Sequence, residues 1–342
     1  MRNCSTASYR SGMTTSPPPE TLLQLSSAHV SARALHVIAE LGVADLLDDQ
    51  PRTTRDLTVG APIDPGALDR LLRLLETHGV FARDQANRWQ HTEPSRWLRS
   101  DHPMSMRAFA RMMGMPFGWG SFTALEHAAR TGNPSIRTLH PGGAWAYLEE
   151  HPDQQDIFQQ SMTAKAQDDI PAILAAYDFS RFRCIADIGA GRGHLIGAVL
   201  DSYPDLSGVL FDLPQVTAEV SADARLNVVA GDFFTDPLPA ADAYILMNIL
   251  HDWDDSDAAN ILSAVADAGR PGRASVLIIE TVLPEGAEPH WSKVLDVMML
   301  ALTGGRERTL SDYEGLLVST GMELFSQIPT ATPFSIIEGR VR

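Results

Sequence analysis

Residues 243–255 read AYILMNILHDWDD, an apolar run that stops at His251 and is followed at once by Asp252, Trp253, Asp254 and Asp255. Imidazole, with an unperturbed pKa of about 6.5, is the side chain best placed to take a proton near neutral pH. At the end of a buried strand such a ring would be held still beside a ligand, as a general base is. The plain alternative is a strand running into a helix cap, with histidine as filler. A second stretch, IADIGAGRGHL, sets Gly189, Gly191 and Gly193 after one apolar run and before a helical one, with Asp187 two residues upstream. A residue without Cβ lets a ligand approach the backbone closely. The spacing G-x-G-x-G lacks the Gly-Lys-Ser/Thr of a phosphate loop, and its third glycine comes one residue too early for a dinucleotide loop. Close approach of an adenosine and its attached amino-acid part suits it, and a structural tight turn is the alternative.

Two aspartates extend this pattern. Asp212, in GVLFDLPQV, comes 19 residues after Gly193, where a carboxylate can accept both ribose hydroxyls. Hydrogen bonds to a charged group are worth roughly 1.5–3 kcal/mol each. Asp232, in VVAGDFF, can accept from an adenine amino group with Phe233 against the ring. Singly, each aspartate reads equally as a turn or cap residue. Together, three consecutive strands deliver a glycine loop and two carboxylates to their carboxyl ends, the edge where open α/β sheets bind ligands.

The elements that must position these groups follow from the texture of the chain. From about residue 180, CIADIGAG, SGVLFDLP, LNVVAGD, DAYILMNIL and ASVLIIETVLP alternate with helical segments such as GHLIGAVLDSY and DSDAANILSAVADAGRPG. Continuous apolar runs mark strands buried on both faces, and alternating β and α units imply a parallel, doubly wound, Rossmann-like sheet. MELFSQIPT and PFSIIEGRV, with no helix between them, predict an antiparallel hairpin at one sheet edge. Residues 21 to about 175 are helical in pattern. Leu22, Leu25, Val30, Leu35, Val37, Ile38 and Leu41 recur at helical spacing before Gly42, and Leu68, Leu71, Leu72, Leu74 and Leu75 do so before Gly79. VFARDQANRWQHT resembles a two-stranded hairpin, so helix, helix, helix, hairpin outlines a winged-helix module. The stretch 104–122 mixes Met104, Met106, Met112, Met113 and Met115 with Phe109, Phe117, Trp119 and Phe122. Methionine fills irregular apolar space and adapts to varied ligands, so core and ligand pocket both stay open for it.

Composition bounds the function. The chain has 342 residues, a formal charge of −16 and a pI near 5.0, which argues against a protein built around phosphate backbones. It has no run of 18 apolar residues, and the N-terminus lacks the hydrophobic core of a signal peptide. Residues 1–20, rich in Ser, Thr and Pro, are expected to be a disordered tail. Cys4 and Cys184 are the two cysteines, so neither a disulfide framework nor a metal site is expected, and the compartment read from this is the cytoplasm.

As an ordered set, DIGAGRGHL, FDLPQV, GDFF, ILMNILHDWDD, IIETVLP and DVMMLALTGGRERT resemble the S-adenosylmethionine-dependent O-methyltransferases that act on small aromatic molecules. These include plant caffeate and flavonoid enzymes and bacterial antibiotic-tailoring enzymes. LGVADLL, RLLRLLETHGVF and TEPSRWLRS resemble the helical dimerisation domain of that family, so the resemblance spans roughly residues 21–340. It implies a tail at 1–20, a mostly helical winged-helix dimerisation domain at 21–175 and a Rossmann-like catalytic domain at 176–342. It further implies S-adenosylmethionine above Gly189–Gly193, Asp212 on the ribose, Asp232 and Phe233 around the adenine, and Met162 beside the sulfonium. Met112, Met115, Phe158, Met299 and Thr303 would line the acceptor pocket. His251 would be the general base, flanked and oriented by Glu280 and Glu307, with S-adenosylhomocysteine released and two chains forming a homodimer. The chain departs from the plant pattern by lacking a residue before GGRERT and by carrying Met247 where plant enzymes often have lysine.

Three rival readings stand beside this one. A winged-helix regulator could use Arg83, Arg88, Arg96, Arg99, Arg107 and Arg111, although Asp84, Glu93 and Asp101 are interspersed. A cofactor-retaining relative could hydroxylate or decarboxylate its substrate. An N-methyltransferase acting on an aromatic heterocycle such as a phenazine would need the base less.

Overall fold

The computed structural model describes residues 17–342, apart from Glu219 and the side chain of Asp168. The tail expected at 1–20 therefore lies outside the described residues up to 16, and Pro18–Glu20 form the first turn of the opening helix. The described residues divide into two compact units, one ending at Ser100 and the other spanning Asp101–Arg342.

The first unit carries helices Pro18–Glu40, Val43–Leu46, Thr54–Leu57 and Pro65–Glu76, then strands β1 (Phe81–Arg83) and β2 (Trp89–His91) paired antiparallel, then a short helix Glu93–Arg96. This is the expected winged-helix outline. Gly42 and Gly79 take left-handed backbone after their helices (φ 65° and 73°), the conformation in which a Cβ is penalised. Asp64 accepts the Ala67 N–H at 2.7 Å and caps Pro65–Glu76, whose Leu68, Leu72 and Leu75 are buried while Leu71 and Leu74 are half-buried. On the opening helix, Leu22, Leu23 and Leu25 are 66–70% exposed, so the apolar stripe that begins it is left uncovered by the described residues of its own unit. Arg83, Arg88 and Arg96, three of the arginines a nucleic-acid reading would use, pair with Glu76, Asp84 and Asp49.

The second unit contains a seven-stranded sheet. Its strands are β3 (Cys184–Ile188), β4 (Ser207–Asp212), β5 (Leu226–Ala230), β6 (Ala243–Met247), β7 (Ser275–Thr281), β8 (Met322–Pro329) and β9 (Phe334–Val341), in the spatial order β5-β4-β3-β6-β7-β9-β8. The first five are parallel, and β9 runs antiparallel to both β7 and β8, which makes the expected edge hairpin. The chain steps outward from β3 to β5 and then returns to lay β6 against β3, with Ile185 opposite Ala243 and Asp187 opposite Ile245. That reversal opens a crevice beyond the carboxyl ends of β3 and β6.

Both sheet faces are covered, which explains the continuous apolar runs. Tyr244, Leu246, Val276 and Ile278 pack on one side with residues of helices Asp255–Gly269 and Leu310–Ser319. Ile245, Leu277 and Ile279 pack on the other with residues of helices Pro152–Ala176 and His194–Ser202. Ile245 is fully buried in β6, the strand that delivers the residues of the crevice. Ile245→Ala should cost roughly 2–5 kcal/mol in chemical denaturation, from lost transfer energy plus a cavity. A cost below that range would mean the sheet core collapses around the gap.

Candidate active site

After Met247 the chain leaves β6 through Asn248, whose φ of 55° is left-handed, a conformation asparagine tolerates better than most side chains. The 3₁₀ turn Leu250–Asp252 follows and carries His251, which is 7% exposed. Glu280, fully buried near the end of β7, reaches under this turn. Its Oε1 accepts the backbone N–H groups of Ile249 (3.0 Å), Leu250 (3.0 Å) and His251 (3.4 Å). Its Oε2 lies 3.5 Å from His251 Nδ1. Glu307, also fully buried, comes from the segment between helices Trp291–Leu302 and Leu310–Ser319. Its Oε1 is 2.8 Å from His251 Nδ1, its Oε2 accepts the Thr281 hydroxyl, and its N–H donates to Asp296 Oδ1 at 2.9 Å. Nδ1 is therefore committed to carboxylates. Nε2 is left with Asp252 Oδ1 at 3.9 Å, too far for a hydrogen bond.

The electrostatics of this cluster differ from the sequence expectation. Burial by itself lowers the ring's pKa, but Glu280, Asp252 and Glu307 together outweigh it and push His251 up to about 9. Burial raises Glu280 to about 7 and Asp252 to about 6. The ordinary value of 6.5 assumed from the sequence is thus not the value in the fold, because besides the adjacent Asp252 the carboxylates that raise it come from β7 and from a segment 56 residues on. The folded ring holds its proton more tightly than an unfolded one would. Its contribution to stability is full below about 6.5 and is lost as pH rises through about 9.

The glycine loop lies at the carboxyl end of β3, next to β6. Gly189, Gly191 and Gly193 all have positive φ, at 68°, 57° and 76°. A Cβ on Gly189 would meet Ile249 Cδ1 at 2.4 Å, and one on Gly193 would meet Leu210 Cδ1 at 2.6 Å, whereas Gly191 opens into free space. Asp212, the last residue of β4, accepts the Gly191 N–H at 2.7 Å and the Leu213 N–H at 2.7 Å. Burial raises its pKa, and burial together with Asp212 raises that of Asp187 to about 7. Asp232 engages its own turn, accepting the Phe234 N–H at 2.9 Å. Phe233 stands 3.8 Å from the Gly189 Cβ position and packs with Phe234 and Trp253 at ring separations of 4.8 and 6.0 Å. Trp253 and Phe234, 4.7 Å apart, complete an aromatic wall that sequence reasoning did not assemble.

The third group is apolar. Met112, Met115, Phe158, Met162 and Met299 fall in one cluster with Phe117, Ile136, Tyr147, Leu148, Met298 and Leu302. Thr303 joins it by donating to the Met299 carbonyl at 3.2 Å. Met104 and Met106 stay exposed. The helix Gly143–Glu150, inside the region read as helical from the sequence, supplies Tyr147 and Leu148 to this cluster.

Among the described residues, His251, Glu280 and Glu307 form a group whose ligand atoms lie within 4.8 Å of one another, close enough to hold a metal ion. The 2.8 Å separation of Nδ1 and Glu307 Oε1 is that of a charge-assisted hydrogen bond. The cluster accordingly reads as a ring held by carboxylates. The glycine cradle, Asp212 and the aromatic wall fit a nucleoside bearing a short chain.

A parallel sheet with a glycine cradle and a strand-end carboxylate at its switch point defines a nucleoside-binding α/β protein. Residues 122–323 match the O-methyltransferase domain model, and residues 23–101 match the O-methyltransferase dimerisation domain. The chain is 35% identical to the phenazine O-methyltransferase PhzM of Lysobacter antibioticus, covering 95% of this chain and 96% of that one. It is 34% identical to the mitomycin biosynthesis 6-O-methyltransferase of Streptomyces lavendulae, covering 94% of each. The fold superposes with a TM-score of 0.84 on CalO1, a methyltransferase of calicheamicin biosynthesis solved with S-adenosylhomocysteine. That match has 32% identity and covers 96% of this chain and all of that one. The chain belongs to the S-adenosylmethionine-dependent O-methyltransferase family of secondary-metabolite tailoring enzymes.

The raised pKa of His251 is directly testable. Glu307→Gln keeps an acceptor for Nδ1 but removes a charge, so the ring should titrate lower by roughly one unit or more. NMR titration of the imidazole in the free protein reads this, and an unchanged pKa would mean that Glu307 does not set it.

Proposed function

We propose that the chain transfers a methyl group to a hydroxyl of a small, flat aromatic acceptor, with His251 taking the hydroxyl proton. The observation that carries this reading is the commitment of Nδ1 to Glu307, which leaves Nε2 of a buried, strand-end histidine as the proton acceptor. Bound S-adenosylmethionine supplies an electrophilic methyl on a sulfonium sulfur. Gly189, Gly191 and Gly193 would let it approach the backbone, Asp212 would accept from its ribose, Asp232 and Phe233 would flank the adenine, and Met162 would sit near the sulfonium. Met112, Met115, Phe158, Met299 and Thr303 would hold the acceptor. Their thioethers and aromatic ring suit a flat apolar molecule better than a sugar or peptide.

The basicity of the ring bears on the chemistry. A phenol has a pKa near 10. Passing its proton to a ring at about 9 is uphill by about one unit, roughly 1.4 kcal/mol, whereas a ring at 6.5 would face roughly 4.8 kcal/mol. The neutral ring is correspondingly scarcer at pH 7, so the advantage grows toward alkaline pH. A cationic ligand beside Asp252, Glu280 and Glu307 favours loss of the ring's proton. His251 should therefore titrate lower with S-adenosylmethionine than with the neutral S-adenosylhomocysteine. Equal values would place the ring away from the sulfonium.

The exposed Leu22, Leu23 and Leu25 on the opening helix, within the region matching the dimerisation domain, support a homodimer formed through the N-terminal unit. Among the described residues no helix is long and apolar enough to cross a membrane, and the cysteine usage fits a cytoplasmic setting.

The deciding experiment uses cofactor labelled on the transferable methyl and pooled hydroxylated aromatics: phenazines, anthraquinones, hydroxybenzoates and flavonoids. Label should appear on oxygen, and His251→Ala should slow transfer by roughly 10²–10⁴-fold while cofactor binding persists. A loss under about tenfold would remove His251 as base, and label on nitrogen would favour N-methylation.

A further inference from the structure

Arg308 is fully buried, yet the carboxylate it pairs with, Asp255, lies at the half-exposed start of a helix. Nη2 pairs with Asp255 at 2.9 Å and Nη1 also reaches the Arg306 carbonyl at 3.4 Å, but both nitrogens in addition bind the turn that carries His251. Nη1 donates to the Leu250 carbonyl at 2.7 Å and Nη2 to the Trp253 carbonyl at 2.9 Å, gripping the backbone on both sides of the histidine. Nε donates to Asp255 Oδ1 at 3.0 Å. Three residues earlier, Gly305 lies against the same turn: a Cβ there would fall 2.0 Å from the His251 carbonyl oxygen and 2.6 Å from the Trp253 nitrogen. Gly305 is not among the residues with positive φ, so what it supplies is space for close approach. Between these two, Glu307 holds the imidazole itself.

The geometry points to the segment Gly305–Arg308 as a clamp in which Arg308 and Gly305 are positioning residues, setting at once where the His251 ring sits and where Trp253 stands in the aromatic wall. A buried guanidinium is costly unless its donors are met, and its planar fork is what lets one side chain span two carbonyls. Lysine retains the charge but has no fork. Because Trp253 packs against Phe233 and Phe234, the same contact couples the base to the wall proposed for the adenine. A change at Arg308 should thus disturb cofactor binding and proton abstraction together. This assignment rests on His251 being the base.

The test compares Arg308→Lys and Gly305→Ala with wild type in three readouts. These are backbone hydrogen exchange over residues 249–253, calorimetric affinity for S-adenosylhomocysteine, and methyl transfer separated into kcat and acceptor KM. Both variants should exchange faster at 249–253 by about tenfold. Both should bind S-adenosylhomocysteine several-fold more weakly and lose roughly 10²-fold in kcat with acceptor KM retained. Wild-type exchange and affinity in both variants would overturn the clamp, as would a loss of kcat with neither of those changed. If Arg308→Lys does not fold, Gly305→Ala reads the same turn without touching a charge. Exchange and affinity do not depend on turnover, so a wild type that transfers no methyl would refute the proposed function while these two readouts still decide the clamp.

Discussion

Three carboxylates surround one buried imidazole, and the rest of the site depends on their holding together. Unpaired, buried carboxylates at this density would repel one another, and burial would neutralise them. Here Glu280 accepts three backbone N–H groups, Glu307 is met by the Thr281 hydroxyl and by Nδ1, and the ring supplies the compensating proton. The same proton ties together three distant parts of the chain: the turn after β6, the end of β7 and the segment before helix Leu310–Ser319. A structural constraint and a chemical property therefore have one origin. The ring's basicity comes from the charges that fix its place.

That cluster exists where it does because of the sheet's topology. The reversal between β3 and β6 brings the glycine loop and the histidine turn side by side, close enough that Gly189 has no room for a Cβ beside Ile249. β4 and β5 then line up their ends so that Asp212 reaches back to the Gly191 N–H. One crossing of the chain thus places the glycine loop next to the histidine turn.

What was legible in the sequence follows from how local each signal is. The glycine spacing, the carboxylates at strand ends and the apolar run stopping at His251 are properties of single strands and their next turn, and they survive into the fold unchanged. The edge hairpin was readable for the same reason, because no helix separates its two runs. Glu280 and Glu307 were visible only through the resemblance, since nothing near them in the chain marks them as partners of a histidine 29 and 56 residues away. Arg308 and Gly305 were visible only as letters of the GGRERT motif, with no sign of their role, because that role is a contact with carbonyls, which every residue has. The methionines of 104–122 were ambiguous because a core stripe and a pocket stripe look alike. They separate only when Met112 and Met115 are found packed with Met299 while Met104 and Met106 are left in solvent.

The two halves of the site differ in stiffness, and the difference has a physical basis. Around His251 the ring is held by Glu307 and the backbone of its turn by Glu280 and Arg308, all three buried, although Glu280 Oε2 has no hydrogen-bond partner among the described residues, and the parts come from a sheet whose core is fully enclosed. The apolar cluster gathers Met112, Met113, Met115, Met162, Met298 and Met299. These side chains have three rotatable bonds and a polarizable sulfur, and they repack at little cost. Under the proposed function, a rigidly held His251 and a deformable methionine cluster confine selectivity to the cluster. Acceptors of different outline can then be admitted by re-sorting thioethers, with the distance from hydroxyl to Nε2 left to the rigid side. On this view a change of acceptor among related chains should fall on the helices that carry the methionines, and the histidine turn with its clamp should be the part that cannot be altered without losing the reaction.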